Sequence, residues 1–206
     1  VVVMASTYGG RTHDDSHALE QVRDAINRTA ARGGSVLIPA FAVDRTEVIL
    51  FHLRELMEAG EIPRLPVYVD SPMALRALAA YRAAIADGAD DIQERWHGAD
   101  DPFDTGTLVE VRDVEDSKAI AEVTYPVIIV SASGMASGGR VLHHLARMLP
   151  DRRNTVLLVG FQAAGTRGRS LAEGQTAVKM FGAYVRVRAE VVDIPSFSVH
   201  ADHGEL

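Results

Sequence analysis

Two glycine-rich segments of this chain combine residue types that bind phosphate. One is the run SASGMASGGR over Ser131–Arg140, and the other is GTRGR over Gly165–Arg169. Small residues let the backbone approach a ligand, and free N–H groups at the start of a helix favour an anion. Arginine grips phosphate in a bidentate fork, and threonine adds a hydroxyl donor. The residues predicted to contact phosphate are Ser133, Gly134, Gly138, Gly139, Thr166, Arg167 and Arg169.

Neither segment is a standard nucleotide-binding motif. The first lacks the Gly-Lys-Ser/Thr of a Walker loop and does not match a GxGxxG fingerprint. Two such loops in one chain fit an extended phosphate chain better than a single mononucleotide. A structural strand-to-helix turn is the alternative for the first loop, and a basic surface turn is the alternative for the second.

A histidine near the end of the sequence has the residue type of a general acid. His200 lies in the run SFSVHADH over Ser196–His203. Imidazole and carboxylate groups are suitable zinc ligands, but a full His-x-His-x-Asp-His run would need one more His before His200, and Phe197 and Val199 provide no ligand there. We therefore assign no metal ligand here and predict that His200 acts as a general acid or grips phosphate.

Charge is distributed unevenly along the chain. The formal net charge is −7, which argues against bulk non-specific binding of nucleic acid. Residues 1–135 hold 12 Lys and Arg against 22 Asp and Glu, whereas residues 136–189 hold nine against two. A basic stretch on an acidic body is typical of a local anion site. A solvated basic face is the alternative that charge alone leaves open.

Short apolar runs alternate with amphipathic segments, and this pattern predicts the scaffold that positions the loops. The runs are typical of strands buried on both faces of a parallel sheet. The fold class is therefore α/β, with a mostly parallel central sheet and helices on both faces. Functional residues gather where such strands end, which adds Gln162 to the candidates. The predicted strands are Val1–Met4, Ser35–Pro39, Pro66–Val69, Leu108–Val111, Pro126–Ser131, Thr155–Gly160 and Glu190–Ile194. The predicted helices are His17–Ala31, Arg45–Ala59, Met73–Ile85, Lys118–Val123 and Arg140–Leu149.

Acidic residues before these helices are interpreted as caps. Asp44, with Glu47 three residues on, matches a capping box. Asp70 is expected to cap the helix that has Pro72 among its first residues. The run 14–16 supplies acidic N-cap residues for the first helix. Four further histidines are predicted to be surface or packing residues: His52, His97, His143 and His144.

The amino-acid composition excludes several classes of protein for this chain. There is no cysteine, which excludes a disulfide framework and thiolate zinc sites, and no apolar run approaches the roughly 20 residues that cross a bilayer. We expect one cytoplasmic domain without a membrane segment. Because Val1–Met4 has the composition of a buried strand with no residues leading into it, we expect the chain to be part of a longer protein.

Six motifs occur in an order that resembles a known family. In chain order, the six are Ser6–Gly9 with Arg11 and His13, Pro39–Ala42, Asp70–Ala74, Ser133–Met135 with Gly138 and Gly139, Gly160–Gln162 with Gly165–Arg169, and Ser196–Ser198 with His200–Asp202. The series is similar to the β-CASP nucleases of the metallo-β-lactamase fold, which process RNA. The resemblance covers essentially the whole chain.

The resemblance implies that two domains share the functions of zinc binding and RNA binding. A β-CASP domain is inserted in a metallo-β-lactamase domain, and the cleft between them holds two zinc ions and single-stranded RNA. Residues 1–206 then form the β-CASP domain, with 1–9 and 195–206 bordering the metallo-β-lactamase domain, and this chain alone binds no zinc. His200 matches the catalytic histidine, while Ser198, Arg11 and the two glycine-rich loops match positions suited to the RNA backbone. Endonuclease and 5′-to-3′ exonuclease modes both stay open, as does a homodimer.

One departure from the family pattern bears on activity. Ala5 stands where the family carries an acidic residue just before Ser-Thr-Tyr-Gly. That acid pairs with the histidine that His200 matches, and raises its pKa. Two functions are therefore weighed: a zinc-dependent ribonuclease in the full-length protein, and a catalytically silent paralogue that binds RNA or scaffolds a partner. A free-standing mononucleotide-binding domain is a third alternative.

Overall fold

The computed structural model describes residue 1, residues 17–90, 92–97 and 100–197, and residue 204. Several predictions fall outside these residues. They are the strand over Val1–Met4, the caps at 14–16, and the candidates Arg11, Ser198 and His200. Ala5 also lies outside.

Six parallel strands form the central sheet, as the alternating pattern predicts. The sheet has the order β3-β2-β4-β1-β5-β8, and every neighbouring pair of strands is parallel. Two further strands form a separate antiparallel hairpin. The strands are β1 Val36–Pro39, β2 Val67–Val69, β3 Leu108–Glu110, β4 Ile128–Ser131, β5 Thr155–Val159, β6 Ala177–Met180, β7 Ala183–Arg186 and β8 Glu190–Ile194.

Helices cover both faces of this sheet, which confirms the predicted fold class. They are α1 Ala18–Ala31, α2 Arg45–Glu58, α3 Pro72–Ala86, α4 Val114–Ala119, α5 Val141–Met148 and α6 Arg167–Ala172. The described residues also include two 3-10 turns, Glu94–Trp96 between α3 and β3 and Ile120–Glu122 between α4 and β4. No helix in the described ranges is both long and apolar enough to cross a bilayer.

Strand residues alternate between two hydrophobic cores because successive side chains of a strand point to opposite faces. In β4, Ile128 and Val130 pack with residues of α1, α2 and α3. Ile129 between them packs on the other face with residues of α5, α6 and the hairpin. All three side chains are essentially inaccessible to solvent. Burial on both faces explains why the strands are continuous apolar runs.

Glycines follow the ends of the first two helices. Gly33 and Gly60 each have φ of 70° and directly follow the C-cap residues of α1 and α2. Glycine adopts this left-handed conformation without the steric cost that a Cβ atom brings.

Asp44 is the N-cap residue of α2, as predicted, but neither predicted acidic cap bonds to its helix through the side chain. Asp44 makes no side-chain capping bond to α2, and it instead accepts a hydrogen bond from the Tyr81 hydroxyl. Its partner in the expected capping box, Glu47, is buried. At the next helix, Ser71 is the N-cap, and its Oγ accepts from Ala74 N–H at 3.2 Å. Asp70 is held by other groups, because tertiary contacts there replace local capping.

The predicted elements omit the β6–β7 hairpin and α6, and place one helix too late. The hairpin strands have only four residues each, and α6 has six, so neither presents a long periodic pattern. Helix α4 begins at Val114 rather than at Lys118, because Asp113 caps it through Asp116 N–H at 2.8 Å.

Candidate nucleic-acid interface

Loops that follow β1, β4 and β5 meet at the carboxyl edge of the sheet. A Cβ atom added to Gly134 would lie 2.9 Å from a ring carbon of Phe41 and 3.0 Å from the Phe41 backbone nitrogen. The loop after β4 therefore touches the loop after β1 so closely that only glycine fits. This contact fixes one end of the first glycine-rich segment.

The two glycine-rich segments also pack directly on each other. Gly168 N–H donates to the Met135 carbonyl at 3.0 Å. Gln162 Nε2 donates to the Gly134 carbonyl at 3.2 Å and to the Gly160 carbonyl at 3.3 Å. A Cβ atom on Gly168 would lie 1.8 Å from Gln162 Oε1, so any other residue there would displace the Gln162 amide. The structure thus joins segments that the sequence separates by about 30 residues.

Arg167, predicted to contact phosphate, makes its hydrogen bonds within the fold. Its Nε donates to the Lys179 carbonyl at 2.7 Å, and its Nη1 donates to the carbonyls of Ala136 and Ser137 at 3.4 and 3.2 Å. The guanidinium therefore ties the first glycine-rich loop to strand β6. Its role in the described structure is to position that loop.

The candidate hydroxyl groups are used by the backbone as well. Thr166 is the N-cap of α6, where its Oγ1 accepts from Arg169 N–H at 3.2 Å and donates to the Ala163 carbonyl at 2.7 Å. Ser133 Oγ accepts from Ser137 N–H at 3.0 Å. Both side chains shape their loops, as the structural alternatives proposed.

Hydrogen-bond donors that could bind an anion remain available at Gly138, Gly139 and Arg169. Within the described ranges, the backbone N–H groups of Gly138 and Gly139 have no hydrogen-bond acceptor. A Cβ atom on Gly138 would meet no atom within 4 Å, so the space beside it is open. Arg169 is exposed; its side chain pairs with Glu173 at 2.7 Å, and its positive charge also acts on the Asp193 carboxylate. An exposed pair of this kind contributes little to stability and is readily exchanged for a phosphate.

A buried carboxylate behind these loops was not predicted as a site. Asp70, at the end of β2, is fully buried. Its Oδ1 accepts from Arg140 Nη1 at 2.7 Å, and its Oδ2 lies 2.6 Å from both His144 Nε2 and Ser117 Oγ. Burial by itself would raise the pKa of Asp70, but the hydrogen bonds from His144, Ser117 and Arg140 outweigh it and hold the pKa below its ordinary value.

This network anchors the helix that follows the first glycine-rich loop. Arg140 and His144 are four residues apart and so lie on one face of α5 and its N-cap. The prediction that His144 is a surface or simple packing residue is wrong, because its ring is buried against the Asp70 carboxylate. Its neighbour His143 stacks on Phe181 with ring centroids 4.6 Å apart. The sequence held one sign of the Asp70 network, which is the spacing of four residues between Arg140 and His144 after a buried strand.

Metal binding finds no support in the part of the chain that the structure describes. No group of three or more His, Asp or Glu side chains there could hold a metal ion. These residues therefore do not fit a zinc site. Arg11, Ser198 and His200 lie outside the described residues.

Comparisons with known proteins agree with the resemblance seen in the motifs. A family model described as the Beta-Casp domain matches residues 46–171, which include both glycine-rich segments and Asp70. Ribonuclease TTHA0252 of Thermus thermophilus is 36% identical over 207 residues, covering 100% of this chain and 48% of that protein. An RNase J-like protein of Methanocaldococcus jannaschii is 34% identical over 209 residues, again covering 100% of this chain and 47% of that protein.

A third relative carries a different name. Transcription termination factor FttA of Thermococcus kodakarensis is 33% identical over 214 residues, covering 100% of this chain and 33% of that protein. The chain thus spans between one third and about half of the length of these curated relatives.

Proposed function

Because this chain belongs to the Beta-Casp domain family of RNA-processing nucleases, we propose that it is the RNA-binding half of a zinc-dependent ribonuclease. The observation that carries the proposal is the open carboxyl edge, where two glycine-rich loops pack together and leave the N–H groups of Gly138 and Gly139 without acceptors in the described chain. Backbone N–H groups of this kind bind phosphate without reading sequence.

The contacts of the loops give each candidate residue a role in this proposal. Gly138 and Gly139 would donate to a phosphate oxygen, and the exposed guanidinium of Arg169 would grip a neighbouring phosphate. Gln162 and Arg167 hold the loops in place through the carbonyls that they bind. Rigid placement matters because a loosely held donor loses much of its binding free energy to ordering.

The catalytic half of the proposal rests on residues beyond this interface. His200 would act as a general acid or bind the scissile phosphate, and Ser198 and Arg11 would contact the RNA backbone. Two zinc ions would be bound by a metallo-β-lactamase domain of the full-length protein, bordered by residues 1–9 and 195–206. We further propose a cytoplasmic location, with a homodimer as an assembly to be tested.

Binding of single-stranded RNA to this chain tests the proposed RNA-binding role. Affinity for oligonucleotides should rise with length and fall with salt, because successive phosphates are neutralised by Lys, Arg and backbone donors. Equal affinity for a mononucleotide and a 12-mer would contradict the proposal and favour a free-standing mononucleotide-binding domain.

Elemental analysis of the purified chain should find no stoichiometric zinc. Zinc bound one-to-one, or metal-dependent RNA cleavage by this chain alone, would contradict the division into two halves.

A catalytically silent RNA-binding paralogue is the second candidate, and Ala5 favours it. The resemblance places an acidic residue at this position, where it orients the histidine that His200 matches. In the full-length protein, Ala5→Glu should raise the cleavage rate without changing RNA affinity if the parent is a weakened enzyme. Absence of cleavage in both proteins would favour the silent paralogue.

A further inference from the structure

The turn of the β6–β7 hairpin carries a large aromatic residue where a small one is expected. The last residue of β6 pairs with the first of β7, so the loop between them is the dipeptide Phe181–Gly182. Both residues have positive φ, 49° and 83°. Turns of this kind favour Asn, Asp or Gly, because a positive φ is costly for a bulky side chain. Phe181 is also 61% exposed, so burial rewards it little, and an unfavourable residue in such a place indicates a functional role.

Helix α5 holds the ring of Phe181 in a defined place. The ring stacks on that of His143, with centroids 4.6 Å apart and planes at 29°. Both residues are exposed, so the stacked pair presents an ordered aromatic surface to solvent. Aromatic side chains of this kind stack on the bases of single-stranded nucleic acid, because every base has a π face.

A cavity of about 720 Å³ adjoins the stacked pair and is bounded by α4, α5 and the hairpin turn. Three cationic side chains and one carboxylate line it, and they are Lys118, Arg140, Arg147 and Glu122. Gly139, whose backbone N–H has no acceptor in the described chain, lines it as well. The cavity therefore connects the aromatic pair to the first glycine-rich loop.

Two of the three cations already have carboxylate partners. Arg140 is held by the buried Asp70 carboxylate, so its charge is largely balanced. Lys118 pairs with Glu115 at 2.9 Å, but both side chains are well exposed. Such a surface pair contributes little to stability, so a phosphate can replace the carboxylate. Lys118 therefore remains able to bind an anion, whereas Arg140 mainly positions α5.

Arg147 is the cation with the fewest contacts. It forms no ion pair with a described residue, and its Nη1 donates to the Ala121 carbonyl at 3.5 Å. The charge of Glu122 acts on it without a direct ion pair. Because Arg147 and His143 are four residues apart on α5, the guanidinium and the stacked ring lie on the same face of the helix.

We propose that this cavity binds one nucleotide of a single-stranded RNA, with its base stacked against the Phe181–His143 pair and a phosphate on Arg147. The inference rests on the proposed function, and it extends the strand from the donors at Gly138 and Gly139 along α5. A side chain of a protein partner would also pack on Phe181, but the surplus of cations beside the ring favours a polyanion. Stacking accepts any base, so we expect no sequence preference at this position.

The variant Phe181→Asn removes the ring and suits the turn. Asn is favoured at this backbone conformation, so the hairpin should be kept. Affinity for an oligouridine 12-mer, measured by fluorescence anisotropy, should fall about fivefold or more, as expected for the loss of one stacked base. An abasic 12-mer carries the same phosphates without bases, so its affinity should be equal in the two proteins. Circular dichroism confirms that each variant is folded at the temperature of the titration.

Two further variants of the hairpin serve as controls. Phe181→Tyr keeps the aromatic ring and should retain the affinity for the 12-mer. Tyr184→Thr removes another exposed aromatic residue of the same hairpin that does not line the cavity, and it should change nothing.

The phosphate contact has its own test. Arg147→Gln should lower the slope of log K against log salt by about 0.7 to 1, and equally for the normal and the abasic 12-mer, since one phosphate contact is lost. Arg186→Gln, at an exposed arginine of β7 outside the cavity, is the matched control and should leave the slope unchanged. An unchanged slope in Arg147→Gln would overturn the phosphate contact.

The outcomes separate this site from the proposed function. If Phe181→Asn binds the 12-mer as tightly as the original protein while Gly138→Ala weakens binding, the aromatic site is overturned, RNA binding stands, and a protein partner is favoured for the cavity. An equal loss for normal and abasic 12-mers, or a loss in Phe181→Tyr as large as in Phe181→Asn, would overturn base stacking. Failure of the original chain to bind the 12-mer would contradict the proposed function and this site with it.

Discussion

The Nε2 atom of His144 lies 2.6 Å from Oδ2 of Asp70, although the two residues are 74 positions apart in the chain. Arg140, one turn earlier, binds the other carboxylate oxygen at 2.7 Å. The N-cap residue of α5 and a residue one turn into that helix thus clamp Asp70, which directly follows β2. Since α5 directly follows the first glycine-rich loop, the clamp also fixes where that loop ends.

Removing the charge of Asp70 should therefore destabilise the protein. Asp70→Asn keeps the shape of the side chain but deprives Arg140 and His144 of their anionic partner. We expect a loss of about 2–4 kcal/mol in the free energy of unfolding, measured by urea denaturation at pH 7. Asp151→Asn, which breaks an exposed pair with Arg153, is the control and should cost no more than about 1 kcal/mol.

The effect of Asp70→Asn should also depend on pH. The pKa of Asp70 is lowered in the folded state, so the carboxylate contributes stability above its unfolded pKa, and this contribution is lost as pH falls through the folded value. The difference between the two proteins should be full at pH 7 and shrink below the ordinary value of 3.8. A difference that is the same at pH 7 and pH 3 would contradict this role.

Glu47 should show the opposite dependence. Its pKa is raised from 4.5 to about 7, so the folded protein binds the proton more tightly than the unfolded chain does. The free energy of unfolding should fall as pH rises from 4.5 to 7, because ionisation places a charge in a buried site. Glu47→Gln should be more stable than the original protein by about 1–3 kcal/mol at pH 8 and lose this advantage at pH 4.5. An advantage that does not change with pH would indicate that Glu47 ionises normally.

Two glycine substitutions should separate folding from RNA binding. A Cβ atom on Gly168 would overlap Gln162 Oε1, so Gly168→Ala should cost about 1–3 kcal/mol of stability. Gly138→Ala adds its methyl group to open space and should change stability by less than about 0.5 kcal/mol. RNA affinity should nevertheless fall in Gly138→Ala, because the methyl group occupies the proposed phosphate position. Thermal unfolding and RNA titration of both variants check this, and unchanged RNA affinity in Gly138→Ala would remove that position from the interface.

The two arginines of the second loop should also behave differently. Arg169→Ala should weaken RNA binding and lower the slope of log K against log salt by about 1, since one phosphate contact is lost. Arg153→Ala, in an exposed pair on the loop before β5, should leave both quantities unchanged. Arg167→Ala should mainly lower stability, because three carbonyls lose their donor. An unaltered salt slope in Arg169→Ala would exclude that residue from the phosphate contacts.

Local patterns in the sequence were sufficient to predict most of the scaffold. The strands buried on both faces, such as Thr155–Val159, are continuous apolar runs, and Gly33 and Gly60 mark the ends of two helices. Such features depend on neighbouring residues alone. The short hairpin Ala177–Arg186 and the helix Arg167–Ala172 were not predicted, because elements of four to six residues take their stability from contacts with the rest of the fold.

The sequence by itself determined the fold class, the order of the motifs and the two glycine-rich loops as candidate anion sites. Only the tertiary structure decided which side chains of those loops stay available: Arg167 and Thr166 bind the backbone, while Gly138, Gly139 and Arg169 face outward. It also decided that Asp70 is the centre of a buried network and that Glu47 is buried. The physical reason is that hydrogen bonding and burial of a polar group depend on residues brought together from distant parts of the chain, which local spacing does not encode.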